Sequence, residues 1–201
     1  MTTEPVIDAD FVEWHGGCPH ALVWAVDLDR DDVTALTARA RARLAPLLLR
    51  RYARQPHLTL AYAGLAPTPG ATPTDRVYGD AEFAADLAAL VSAAVAPFDL
   101  VIGAFGSFAG APYLTADGAG VASLHEALEA RSGPYTPHVT IGLYATRAPL
   151  APIISSFADW TETLVVHVPT VSLLRYETHD VAGPLEPVGR FDLATRAWTP
   201  A

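Results

Sequence analysis

Lysine is absent from this 201-residue chain, and cysteine occurs once, as Cys18. A single thiol excludes an internal disulfide and a cysteine-rich zinc site. No apolar run approaches the roughly 20 residues that a membrane-spanning helix requires, so no membrane partner is expected. The opening MTTEPVIDADF is acidic rather than apolar, which excludes a secretion signal. A cytoplasmic protein follows as the default. Neither GxGxxG nor GxxxxGKS/T occurs, so the dinucleotide-fold and Walker-type readings lose their main support. Basic charge is scarce as well: 13 basic residues, all arginine, stand against 22 acidic ones, a net charge of −9. Such a surface repels long nucleic acid, yet one arginine or a few aimed donors suffice to hold a small anion.

What is plentiful is apolar: 51% of the residues are hydrophobic, enough for a sizeable core in one domain spanning 1–201. Residues 1–19 read as an irregular lead-in. Strands are expected over 21–28, 55–63, 98–104, 112–115, 135–144, 164–177 and 187–193, from their β-branched and alternating patterns. Helices are expected over 31–48, from Asp80 onward with Asp80 as N-cap, around Val121–Leu124–Leu128, and around Leu150–Phe157. The Pro-, Gly- and Thr-rich stretch 64–79 reads as a loop, either a lid or a plain connection. Strands and helices mix without strict alternation. This favours an α+β fold with antiparallel or mixed sheets flanked by helices over a doubly wound parallel sheet.

One pattern occurs twice: Pro56-His57-Leu58-Thr59-Leu60 and Pro137-His138-Val139-Thr140-Ile141. Repetition suggests two related halves facing each other. Side chains on a strand alternate faces, so His57 and Thr59 point one way and Leu58 and Leu60 the other; His138 and Thr140 likewise share a face. Each strand thus offers an imidazole and a hydroxyl side by side. Ala61, Ala63 and Gly142 continue that face with small residues, leaving room for a ligand, and Tyr144 has the parity to wall it. An imidazole titrates near neutrality, so one ring can accept a proton while the other donates one. Threonine hydroxyls can donate to phosphate oxygens. No carboxylate neighbours either motif in sequence, which argues against a His/Asp metal site.

These two His-x-Thr motifs, HLTL and HVTI, resemble those that define the 2H phosphoesterase superfamily, specifically its bacterial 2′-5′ RNA ligase and cyclic phosphodiesterase group. ALVWAVDL, FDLVIGAFGSF and LEPVGRFDL are similar to further strands of that family, so the resemblance spans roughly 20–194. It implies a bilobal fold with pseudo-twofold related halves. It implies His57 and His138 as the catalytic pair, Thr59 and Thr140 as the phosphate-binding pair, and no metal or cofactor. It also implies opening of 2′,3′-cyclic phosphates to 2′-phosphates. The acidic net charge favours a small nucleotide or an RNA end as substrate, and a monomer is expected. Two alternatives stay open: 2′-5′ ligation of RNA ends, and a nucleotide-binding sensor without turnover.

Outside the motifs, Phe108 and Tyr144 are candidates for stacking on a base, and Arg175 for steering a phosphate. His15, Cys18 and His20 cluster in HGGCPH, but three ligands without a fourth do not make a metal site. His125, His167 and His179 read as structural or solvated.

Overall fold

A computed structural model of the chain describes residues 1–71, 76–128 and 134–201. Residues 72–75, within the loop expected over 64–79, lie outside the described residues. In chain order the elements are α1 (Asp8–Trp14), β1 (His20–Asp27), α2 (Asp31–Leu44), β2 (His57–Leu65), α3 (Asp80–Ala93), β3 (Phe98–Ser107), β4 (Pro112–Asp117), α4 (Val121–Leu128), β5 (His138–Thr140), α5 (Leu150–Ser155), β6 (Leu164–Val168), β7 (Thr170–Glu177), β8 (Glu186–Asp192) and β9 (Trp198–Pro200). They build two sheets, one ordered β2-β1-β7-β8-β9 and the other β5-β4-β3-β6. Every pairing between named strands is antiparallel. The expected α+β class with two sheets and flanking helices is what the chain adopts.

The order carries an internal repeat. A strand, a helix, a motif strand and a second helix occur as β1-α2-β2-α3 and again as β4-α4-β5-α5. Each motif strand is the edge of its sheet, paired to the first strand of its own repeat. The strand after the first repeat, β3, pairs with β4, and β7, after the second, pairs with β1. Each half therefore completes the other's sheet, which ties the two lobes together.

The main core lies between the helices and the inner faces of both sheets. Leu22, Trp24, Val26, Leu58 and Leu60 come from one sheet, and Leu100, Ile102, Leu114 and Val139 from the other. Val33, Leu36, Ala40 and Leu44 supply the buried stripe of α2 at helical spacing. Burying each of these Val, Leu and Ile side chains fully stabilises the fold by about 1.5–3 kcal/mol.

Several expected boundaries move, each for a local reason. The lead-in over 1–19 contains α1, and its first residues are pinned: Thr3 N–H donates to Ala148 O at 2.8 Å and Val6 N–H to Tyr144 O at 2.9 Å. The helix expected over 31–48 stops at Leu44, and Pro46 lies in the 3-10 turn Ala45–Leu47. Gly79, not Asp80, caps α3; its N–H donates to the Glu82 carboxylate at 2.9 Å. The single strand expected over 164–177 is two strands in different sheets, broken at Pro169, which has no N–H for a ladder. The strand expected over 135–144 keeps only His138–Thr140. Beyond it the backbone bonds irregularly, Ile141 N–H to Pro112 O at 3.0 Å and Tyr144 N–H to Gly110 O at 2.9 Å. The closing strand β9 was not expected; Trp198 anchors it, edge-on to Phe83 with ring centroids 5.0 Å apart.

Candidate active site

The two motif strands lie beside each other where the sheets meet. An edge strand leaves carbonyls without ladder partners. In β2 two of these are taken by the opposite repeat: Tyr135 O–H donates to Thr59 O at 2.8 Å, and His125 Nδ1 to Leu60 O at 2.6 Å. The rings of His125 and Tyr135 stack on each other, centroids 3.8 Å apart. Of its two expected readings His125 takes the structural one; with Tyr135 it clamps the first motif strand to the second lobe. Tyr135 stands three residues before His138, and that repeat position was the available signal.

His57 and His138 are anchored alike. Nδ1 of His57 meets Gln55 O at 2.8 Å, and Nδ1 of His138 meets Thr136 O at 2.7 Å. A carbonyl only accepts, so each Nδ1 carries the hydrogen. In the neutral rings Nε2 is then the free acceptor on both. Both rings are half-buried, and both sit below the ordinary histidine pKa of 6.5. Burial is the main cause for each, and the backbone bond opposes it. For His57 the positive charges of Arg54 and His138 add to burial, and its pKa falls to about 4. Both rings are therefore neutral at pH 7.

Thr59 stands opposite Ala25, and Thr140 opposite Tyr113. Both are half-buried beside their histidines. Aromatic rings line the second motif: His138 lies 4.9 Å from Phe108 and 5.2 Å from Tyr113, centroid to centroid. Tyr113 lies across Gly106, its register partner, where a Cβ would sit 2.4 Å from the ring. Only glycine admits the phenol there. Phe108 keeps 40% of its surface exposed.

Other expected site residues are placed elsewhere. Tyr144 is fully buried, its O–H bonded to Ser107 Oγ at 2.9 Å, so it walls nothing. Its parity with His138 is lost because the strand ends at Thr140. Arg175 pairs with Leu22 on the core face of β1, not with Ala25 and Thr59, and its Nε donates to Glu186 at 3.1 Å. It is not brought to the histidines. Ala61 and Ala63 fail the alternation too: Thr59 pairs with Ala25 but Ala61 with Trp24, so Leu60 is a bulged residue that turns both alanines toward the core. Gly142 leaves room for Leu48, whose Cδ1 would stand 2.9 Å from an added Cβ.

Carboxylates, absent from the motifs in sequence, arrive across the sheet. Asp27 pairs with His57 in register, and Asp27, Asp29 and His57 line a cavity of about 120 Å³. Asp27 Oδ1 accepts Asp29 N–H at 3.0 Å. Among the described residues no three His, Cys, Asp or Glu side chains converge as a metal cage would require. His15 and Cys18 are buried, and His15 Nε2 lies 3.2 Å from the Tyr176 hydroxyl.

A family model described as the 2′-5′ RNA ligase superfamily matches residues 29–180, a span that holds both motifs. The chain belongs to that superfamily. Solved structures share its fold. The protein TT0787 of Thermus thermophilus is 20% identical with a TM-score of 0.59, over 86% of this chain and 97% of that one. E. coli LigT complexed with NADP+ is 19% identical with a TM-score of 0.54, over 87% and 98%. LigT complexed with ATP is 18% identical with a TM-score of 0.53, over 88% and 98%. No curated protein sequence matches the chain. Members of this superfamily are phosphoesterase- and ligase-like proteins. Among the described residues, no helix is long and apolar enough to cross a membrane.

Proposed function

We propose that the protein is a metal-independent phosphoesterase that opens 2′,3′-cyclic nucleotide phosphates to 2′-phosphates, with His57 and His138 as paired general base and acid. The observation that carries this reading is the matched anchoring of the two rings. Each gives Nδ1–H to the carbonyl two residues back, so both Nε2 atoms are free for proton transfer. One neutral ring takes a proton from water as the new P–O bond forms. The other, charged, ring gives its proton to O3′ as the P–O3′ bond breaks. Transfers of this kind each contribute about 10²–10⁴-fold. Thr59 and Thr140 donate to the non-bridging oxygens, and Phe108 offers the base a ring. The substrate is a small nucleotide or an RNA end, in keeping with a net charge of −9. Superfamily membership and the fold shared with nucleotide-bound LigT support the substrate class.

The test is turnover of the four 2′,3′-cyclic mononucleotides in EDTA, with products separated as 2′- and 3′-phosphates. The expected result is 2′-phosphate formation unaffected by the chelator. Loss of activity in EDTA, or no turnover of any nucleotide phosphodiester, rejects the proposal.

A further inference from the structure

The face that carries the first motif continues across the whole five-stranded sheet. Register partners in an antiparallel ladder point to the same face, so the pairings define rows of side chains. Thr59 on β2 pairs with Ala25 on β1, Ala25 with Ser172 on β7, Ser172 with Arg190 on β8, and Arg190 with Thr199 on β9. Their sequence neighbours Leu58, Val26, Val171, Leu173 and Phe191 point the other way, into the main core. The row therefore runs unbroken from one motif threonine to an arginine. Strands stand about 4.8 Å apart, which puts the backbone of Arg190 about 14 Å from that of Thr59.

A cavity follows this row. Its volume is about 450 Å³, and Ser172, Arg190 and Thr199 line it together with Asp27 and Pro187. Asp27 and Pro187 also line the cavity of about 120 Å³ that holds His57. The two cavities thus share a wall.

Two side chains in the larger cavity are short of partners. Ser172 keeps only 7% of its surface, yet among the described residues its hydroxyl has no hydrogen-bond partner. On the β1 side it meets the methyl of Ala25. Leaving a hydroxyl so enclosed without a partner is unfavourable. Arg190 is exposed, and among the described residues no carboxylate lies within ion-pair distance of it. Arg30, Arg39, Arg43, Arg51 and Arg175 each have such a partner. Asp192, the next residue on this face of β8, accepts Ala194 N–H at 3.0 Å and Thr195 N–H at 2.7 Å instead. Asp27 stands at the near end, its carboxylate accepting Asp29 N–H. Charge therefore changes sign along the cavity, negative beside His57 and positive at β8. An anion belongs at the Arg190 end.

We propose that this cavity is a second anion subsite, in which Arg190 and Ser172 hold a phosphoryl group on the 5′ side of the reacting nucleotide. The proposal rests on the phosphoesterase reading above and narrows its substrate to a nucleotide phosphorylated on both sides of its ribose. The guanidinium presents two parallel N–H groups to two phosphate oxygens, and Ser172 Oγ–H donates to the same group. An extended nucleotide and an arginine side chain leaning back along the cavity together cover the distance from Thr59. With the base on Phe108 in the other lobe, the nucleotide lies across the cleft and its reacting phosphorus falls between the histidines. The 5′-side group is either a free 5′-phosphate or the diester that joins the last nucleotide to an RNA, since both offer non-bridging oxygens to the same donors.

The test measures affinity, which does not depend on turnover. Adenosine 2′-phosphate, adenosine 2′,5′-bisphosphate and the dinucleotide ApA ending in a 2′-phosphate are titrated by calorimetry into wild type, Arg190→Gln, Arg190→Lys and Ser172→Ala. A melting curve of each variant checks its fold. In wild type the 5′-side phosphoryl group is expected to tighten binding by about 10–100-fold, the size of charge-assisted hydrogen bonds. That gain is expected to vanish in Arg190→Gln, to persist in part in Arg190→Lys and to shrink in Ser172→Ala. A gain with the bisphosphate alone supports a free 5′-phosphate as the ligand, and a gain with the dinucleotide alone supports the diester of an RNA end. No gain with either, or a gain undiminished in Arg190→Gln, overturns the proposal. The matching 2′,3′-cyclic phosphates are then assayed for turnover. If none is opened while the Arg190-dependent gain in affinity remains, the subsite stands and the phosphoesterase reading falls.

Discussion

The ring of Phe108 stands edge-on to that of His138, centroids 4.9 Å apart at an interplanar angle of 79°. Phe108 also packs on Tyr113 at 4.6 Å, so its position is fixed while 40% of its surface faces solvent. A held, exposed ring beside His138 is suited to stack a nucleobase. Stacking of a base on an aromatic side chain is worth about 1–3 kcal/mol. Phe108→Ala should therefore raise KM for 2′,3′-cyclic nucleotides by about tenfold or more. Turnover of ribose 2′,3′-cyclic phosphate, which has no base, should change little. Equal losses on both substrates would mean that Phe108 supports His138 rather than the base.

A second prediction concerns stability. Asp86 on α3 is buried, and its Oδ2 accepts from Trp24 Nε1 at 2.8 Å and from Tyr78 O–H at 2.7 Å. This carboxylate joins β1, the segment before α3, and α3 itself. Burial and the Asp86 charge raise the Tyr78 pKa, so the phenol stays a donor throughout the working range. Asp86→Ala leaves the Tyr78 hydroxyl without its acceptor and Trp24 Nε1 with only the Tyr78 oxygen, 3.1 Å away, and should lower unfolding stability by about 1–3 kcal/mol, measured by urea titration. Asp86→Asn keeps an acceptor oxygen and should cost less. A change under about 1 kcal/mol in the Ala variant would show that the network adds little net stability.

The motif strands, α2 and the α+β class were readable because they rest on local periodicity: Val33, Leu36, Ala40 and Leu44 mark one helical face without knowledge of the rest. The failures share a non-local origin. The Leu60 bulge is visible only against β1, and it turns Ala61 and Ala63 to the core face. Asp27 reaches His57 through strand register, thirty residues away in sequence, so searching near the motif misses it. Pro169 sits in a β-branched, mostly apolar stretch, and only sheet membership reveals that the chain changes sheet there. Tyr144 and Arg175 had suitable chemistry, but one is fully buried and the other is engaged with a carboxylate on the far face. Which residues share a motif strand was legible; what the motif faces was not.

The last prediction follows from the direction of both histidine shifts. Burial holds both rings below 6.5, His57 at about 4. In the free protein, raising the pH toward neutrality removes the one proton that the acid must carry. The fraction of protein with a single charged ring therefore falls as pH climbs through the pKa of His138. Below about pH 4 both rings are charged and the base is lost. The kcat/KM profile should accordingly be a bell centred on the acid side of 6.5, declining through neutrality. An anionic substrate stabilises the charged ring, so the alkaline limb of kcat should lie at higher pH than that of kcat/KM. His57→Ala and His138→Ala should each reduce kcat by about 10²–10⁴-fold, and the double variant should lose little more, because the two rings act as one unit. A profile that is flat from pH 5 to 9, or losses that multiply in the double variant, would contradict paired imidazole catalysis.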